Sequence, residues 1–179
     1  SESQVTAAKG AIAKITWAAR TTCPTYSFAA SSSAQGMTDA TQATARELNK
    51  VLDQLAAELS SGPGIVVQPL GDLSPADMMI TVFFDASLGG PPACRSQAGL
   101  VVLLSSTSAA TAMCCCNVIE WASSKIPRVV RSTMAAESAS ASVLHSLATG
   151  HMDIRPGWRT RLLPKVHLVT DCKSVYDHV

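Results

Sequence analysis

The spacing of apolar residues changes character part-way along the chain. Over the first sixty positions it is helical: Val5, Ala8, Ile12 and Ile15 recur at intervals of three and four, which predicts a helix ending near Arg20, ahead of the TTCPT break at Pro24. A second, shorter helix is expected around Tyr26 to Ser33. The third is the clearest, because Leu48, Val51, Leu52, Leu55 and Leu59 form one apolar stripe, with Thr38 or Asp39 available as its cap. The run SSGPG at 60–64 then breaks the pattern and predicts a boundary between a helical segment, 1–60, and a second domain, 64–179.

Beyond it the apolar runs are short and nearly continuous. MMITVFFDA at 78–86 and AGLVVLLS at 98–105 suit strands covered on both faces, and the intervening GGPPACRS suits a hairpin-like connection with a long loop. AMCCCNVIEW at 112–121 predicts a third strand. From Val130 to Thr149 a helix is expected, with Met134, Ser138, Ala141, Leu144 and Ala148 along one face. VHLVT at 166–170 reads as a fourth strand ending at Asp171, and CKSVYDHV as the start of another helix. The order β-β-β-α-β-α describes an α/β fold with a mixed sheet: an antiparallel meander, then a crossover. A right-handed crossover would make the last strand a parallel neighbour of the first.

That topology gives three acidic residues a common destination. Asp85 and Asp171 close the first and fourth strands, so parallel pairing would bring both carboxylates to one edge of the sheet. Glu137, in the early turns of the intervening helix, is the only acidic residue between Trp121 and Met152 and is the natural third member. Taken singly, an aspartate after a strand is commonly a turn or capping residue. Gathered together, three carboxylates repel one another unless cations hold them. Hard oxygen donors suit Mg²⁺ or Mn²⁺ over zinc, and two such ions can activate water and steady the leaving oxygen of a phosphodiester.

Overall charge adds little, since 14 Lys and Arg face 13 Asp and Glu for a net charge of +1. Its distribution is more informative: from Trp121 to Lys165, seven basic residues stand against Glu137 and Asp153, a local balance of 7 − 2 = +5. Such a stretch fits either a polyanion footprint or a solvated face. Of the six cysteines, Cys114, Cys115 and Cys116 are consecutive and lack zinc-type spacing. All six are expected to be reduced and mostly buried. No apolar run approaches the roughly 18 residues of a membrane span, and no signal peptide is visible. An intracellular chain, cytoplasmic or nuclear, with no membrane partner is expected.

At these residues the chain resembles the ribonuclease H region of copia-type retrotransposon polyproteins. The similarity is carried by VFFDASLGG at 82–90, CRSQAGLVVLL at 94–104, VIEWASSKIPRVVRSTMAAES at 118–138 and LVTDCKS at 168–174, four pieces in the family's order. Upstream, GAIAKITWAARTTCPTYSFAASS at 10–32 and the helix at 41–59 resemble the end of the reverse transcriptase of such elements, in the thumb or connection region. There the family has Thr-Arg-Pro-Asp and this chain has Thr22, Cys23, Pro24 and Thr25. The polymerase aspartates would lie upstream of Ser1, so no DNA synthesis is expected of this chain. The family also uses a fourth acidic residue from a C-terminal element. The chain ends eight positions beyond Asp171, and Asp177 comes too early to match it, which implies a ribonuclease H-like domain incomplete at its C-terminus.

The resemblance implies an endonuclease that cleaves the RNA strand of an RNA–DNA hybrid, with Asp85, Glu137 and Asp171 as catalytic metal ligands and two Mg²⁺ (or Mn²⁺) ions as cofactor. Its partners would be the hybrid and the remainder of the reverse transcriptase polyprotein. Lys125, Arg128 and Arg131 are the best-placed backbone contacts, and Ser87 and Ser174 could touch phosphate or the 2′-hydroxyl that distinguishes RNA. Trp121 and Trp158 could stack on bases, although core or partly buried packing suits them better. Two other readings stand beside the enzyme: a catalytically inactive nucleic-acid-binding remnant, and a helical interaction module at residues 1–60 serving a reverse transcriptase.

Overall fold

The computed structural model describes residues 2–37, 41–62, 64–89, 95–110, 112–127, 130, 132–138 and 165–172. Two compact units emerge: residues 1–66, with which 122–124 group, and the rest of the chain.

The first unit is helical. Helix α1 spans Glu2–Thr21, α2 Ser27–Gly36 and α3 Gln42–Ser61. Pro24 opens a 3₁₀ turn, Pro24–Tyr26, between the first two. Its missing N–H is tolerated at a helix start, while the amides of Thr22 and Cys23 both donate to the Ala18 carbonyl at 2.9 Å and end α1. The predicted stripes supply the core: Ile12 and Ile15 of α1 meet Leu48 and Leu55 of α3, joined by Ala18, Ala19, Cys23 and Ala30. Val51 and Leu52 pack against this cluster, whereas Val5 and Leu59 stay exposed. The cap of α3 differs from expectation. Thr41 takes that position, accepting from the Thr44 amide at 3.2 Å while the Thr44 hydroxyl accepts from the Thr41 amide at 3.2 Å. This reciprocal pair satisfies two otherwise free amides directly before Gln42; Thr38 and Asp39 lie outside the described residues. Gly64 folds back so closely that a Cβ there would stand 2.6 Å from the Thr22 carbonyl oxygen.

The second unit is α/β, built on a mixed four-stranded sheet: β1 Met78–Ser87, β2 Gln97–Ser106, β3 Cys116–Lys125 and β4 Lys165–Val169, in the order β3-β2-β1-β4. β1 and β2 are antiparallel, with Phe83 opposite Val101 and Asp85 opposite Gly99. β4 runs parallel to β1 on its other side, from Met79 opposite Lys165 to Phe83 opposite Val169. Residues 133–138 are helical and are labelled α4. The remainder of the helix expected to Thr149, and the one expected after Asp171, fall outside the described residues.

Three expectations need correction. The third strand begins at Cys116 and continues through ASSK to Lys125, four residues later than its apolar pattern suggested. Among the described residues it is an edge strand, a position that tolerates serines and a lysine. Asn117 secures it, its side chain exchanging two 2.8 Å bonds with the backbone N–H and C=O of Gln68. Second, β1 and its neighbours are not covered throughout on both faces. From Val82 onward β1 alternates, with Val82, Phe84 and Ala86 buried and Phe83, Asp85 and Ser87 exposed; Val101, Val166 and Leu168 are also exposed. Third, Cys114, Cys115 and Cys116 are exposed and Cys172 is half-buried, so among the described cysteines only Cys23 is a core residue. The five are free thiols, as expected, but the run of three precedes and starts an edge strand instead of filling a buried one.

Candidate metal centre

The pairing of β1 with β4 prepares the site. Asp85 lies two residues beyond Phe83 and Asp171 two beyond Val169, the last registered pair, so the two aspartates leave the sheet at the same end. Asp85 shares the open face of β1 with Phe83 and Ser87, and both aspartates are exposed.

Glu137 arrives from α4. Ser132 caps that helix, its hydroxyl accepting from the Ala135 amide at 3.2 Å and its carbonyl from the Ala136 amide at 3.1 Å. Ala136, fully buried, packs with Ala86 of β1, Ala98 of β2 and Ile126, with Val130 alongside. Three alanines at this contact let the helix approach the sheet closely. The amide of Ile126 donates to the Ser96 carbonyl at 2.8 Å, fixing the exit of β3 beside the entry of β2. The buried face of α4 therefore carries Ala136 and Glu137, while Met134 and Ser138, expected to line one face of the helix, are exposed.

Only 4% of Glu137 is exposed. Its Oε1 accepts from the Ala86 amide at 3.0 Å. The β1–β4 register ends at Phe83, so this carboxylate accepts from a strand N–H that lies beyond the reach of β4. Its Oε2 is buried with no hydrogen-bond partner. Leaving a carboxylate oxygen unsatisfied is costly, and the acidity reflects it. Burial pushes the Glu137 carboxyl above its ordinary range; the Ala86 amide opposes this, and the nearby Asp85 and Asp171 carboxylates add to the rise.

Asp85, Glu137 and Asp171 each present an oxygen, and these oxygens lie within 4.8 Å of one another. Such a set could hold a metal ion. The orphaned Oε2 fits that role, because a cation would satisfy the atom the protein leaves without a partner. An all-oxygen donor set suits Mg²⁺ or Mn²⁺.

Of the residues assigned to nucleic-acid contact, Ser87 is exposed at the end of β1, two positions past Asp85, and Lys125 is exposed at the end of β3. Arg128, Arg131 and Ser174 lie outside the described residues, as does Trp158; Trp121 is half-buried in β3. The Ala86 amide and the Ser132 cap were not anticipated. A serine three residues before Ala135 could have suggested the cap, whereas a main-chain donor leaves no sequence signal. Among the described residues no helix is long and apolar enough to cross a membrane. Comparison with protein-family models, curated proteins and solved structures finds no match.

Proposed function

We propose that this carboxylate cluster is the metal centre of a ribonuclease H-type endonuclease that cleaves the RNA strand of an RNA–DNA hybrid, in a ribonuclease H-like domain of retrotransposon origin. The observation that carries the reading is the convergence of Asp85, Glu137 and Asp171 from a strand, a helix and a parallel strand, with a buried glutamate oxygen left unpartnered. The mixed sheet order β3-β2-β1-β4 supports it, as does the order of the motifs along the chain.

Glu137 would hold the cation from the protein side, and the exposed Asp85 and Asp171 from the solvent side, where a phosphodiester can approach. Bound there, Mg²⁺ or Mn²⁺ supplies charge stabilisation for attacking water and leaving oxygen. The reaction is hydrolysis: a water oxygen forms a new bond to phosphorus, the bond to the leaving sugar oxygen breaks, and that oxygen takes a proton. Ser87, on the same side of β1 as Asp85, would contact a neighbouring phosphate or 2′-hydroxyl. Lys125, with Arg128 and Arg131 from the same basic stretch, would neutralise backbone phosphates.

The test incubates a labelled RNA–DNA hybrid with Mg²⁺ or Mn²⁺ and compares the wild type, Asp85→Asn and a C-terminally extended chain. Cleavage of the RNA strand alone, lost in Asp85→Asn, is the expected result. Absence of cleavage even by the extended chain, with salt-sensitive hybrid binding intact, would replace the enzyme with a binding remnant.

A further inference from the structure

We infer that the main-chain amide of Ala86 is a positioning group that commits Glu137 to bind a cation through Oε2 alone, and that the alanine contact of α4 with β1 and β2 sets this arrangement. The inference rests on the metal-centre reading and adds to it the way one ligand is presented.

A carboxylate has two oxygens and can meet a metal with one or both. Here they are already distinguished. Oε1 is tied to the Ala86 N–H at 3.0 Å, whereas Oε2 has no partner although it is buried. Using both oxygens on one ion would make the cation compete with the Ala86 N–H for Oε1 and weaken the bond to an amide that β4 does not reach. Keeping the bond leaves one oxygen, directed by the backbone and not by a rotatable side chain. The bond in turn needs α4 close to the sheet. Ala136 is completely buried against Ala86 and Ala98, so a side chain as bulky as leucine at 136 must move the helix away and carry Glu137 with it. A one-oxygen glutamate suits the compact six-coordinate shell of Mg²⁺ or Mn²⁺ better than Ca²⁺, whose larger shell often takes both oxygens of a carboxylate.

The experiment follows the Ala86 amide by NMR while Mg²⁺ is added to the full chain, and measures Mn²⁺ and Ca²⁺ affinity in the wild type, Ala136→Ser and Ala136→Leu. The inference expects saturable shifts at Asp85, Glu137 and Asp171 while the Ala86 amide stays slow to exchange. It also expects Ala136→Ser to behave like the wild type, and Ala136→Leu to weaken Mn²⁺ binding by about 10- to 100-fold, the usual effect of disturbing a group that orients a ligand. Ca²⁺ binding should fall less, a difference that general loosening of the fold would not produce. If Mg²⁺ binds but the Ala86 amide loses its protection, the positioning role is wrong while the metal centre stands. If no residue of the cluster responds to Mg²⁺ or Mn²⁺, both readings fall. Should Ala136→Leu fail to fold, the wild-type amide measurement decides by itself.

Discussion

Replacing Glu137 by glutamine should stabilise the cation-free protein and abolish its response to metal. In Glu137→Gln the side-chain carbonyl can still accept from the Ala86 amide, so the 3.0 Å bond has an equivalent. The position of the orphaned Oε2 is taken by an NH₂ group, a donor facing the oxygens of Asp85 and Asp171, which lie within 4.8 Å of the glutamate's ligand oxygen. Removing one buried unsatisfied oxygen is worth about 1–3 kcal/mol. In a chain of this length each kcal/mol moves Tm by about 2–4 °C, so the variant should melt about 2–12 °C higher in EDTA. The pH dependence fixes the sign independently. Glu137 has its folded pKa raised, so the folded state binds more protons than the unfolded state above the ordinary carboxyl range. Wild-type stability therefore falls as pH rises through the raised value, and the gap to Glu137→Gln closes at low pH, where both side chains are neutral. Adding Mn²⁺ should reverse the order: at a thousandfold excess over Kd, binding stabilises the wild type by about 4.1 kcal/mol, more than the whole deficit, while the variant gains little. Thermal melts followed by circular dichroism, across pH and with or without Mn²⁺, measure all three effects. A variant no more stable than the wild type in EDTA at neutral pH would refute the argument that Oε2 is an unsatisfied buried atom awaiting a cation.

Two further expectations concern the rest of the chain. Maleimide labelling of the native protein, read by peptide mass mapping, should modify Cys114, Cys115 and Cys116 rapidly and Cys23 only after unfolding; native labelling of Cys23 would contradict its 1% exposure. Leu55→Ala, in the centre of the three-helix core, should cost about 2–5 kcal/mol by chemical denaturation, whereas Leu59→Ala, half exposed on the same stripe, should cost much less.

The parts of this structure legible in the sequence are those governed by periodicity. Ile12, Ile15, Leu48 and Leu55 fall at helical spacing and form a core; 78–86, 98–105 and 166–170 read as strands and lie within one or two residues of β1, β2 and β4. The parallel pairing of β4 with β1 follows from the crossover rule. Where periodicity is silent, the reading failed for physical reasons. Cys114 to Cys116 are apolar enough to suggest a buried strand, yet they precede and start an edge strand and are exposed. Thr38, Asp39 and Thr41 are all competent caps, and only the Thr41–Thr44 exchange selects among them. Met134 looks more like a core residue than Glu137. The helix nevertheless turns the glutamate inward, because Ala136 is the residue small enough to sit against Ala86 and Ala98.

That last choice explains why the three acids meet. The register that ends with Phe83 opposite Val169 brings Asp85 and Asp171 out together, and a one-residue slip of β4 would carry Asp171 away from its counterpart. Two exposed aspartates at a sheet end are unremarkable and inexpensive, since water solvates both. The buried glutamate changes the problem, because its carboxylate is held at a strand amide and one oxygen is kept from both water and protein. A helix selected for stability alone would carry an apolar side chain at 137, as it does at 136. The carboxylate there is tolerable to the fold only in company with a proton or a cation, and the adjacent aspartates strengthen its hold on either.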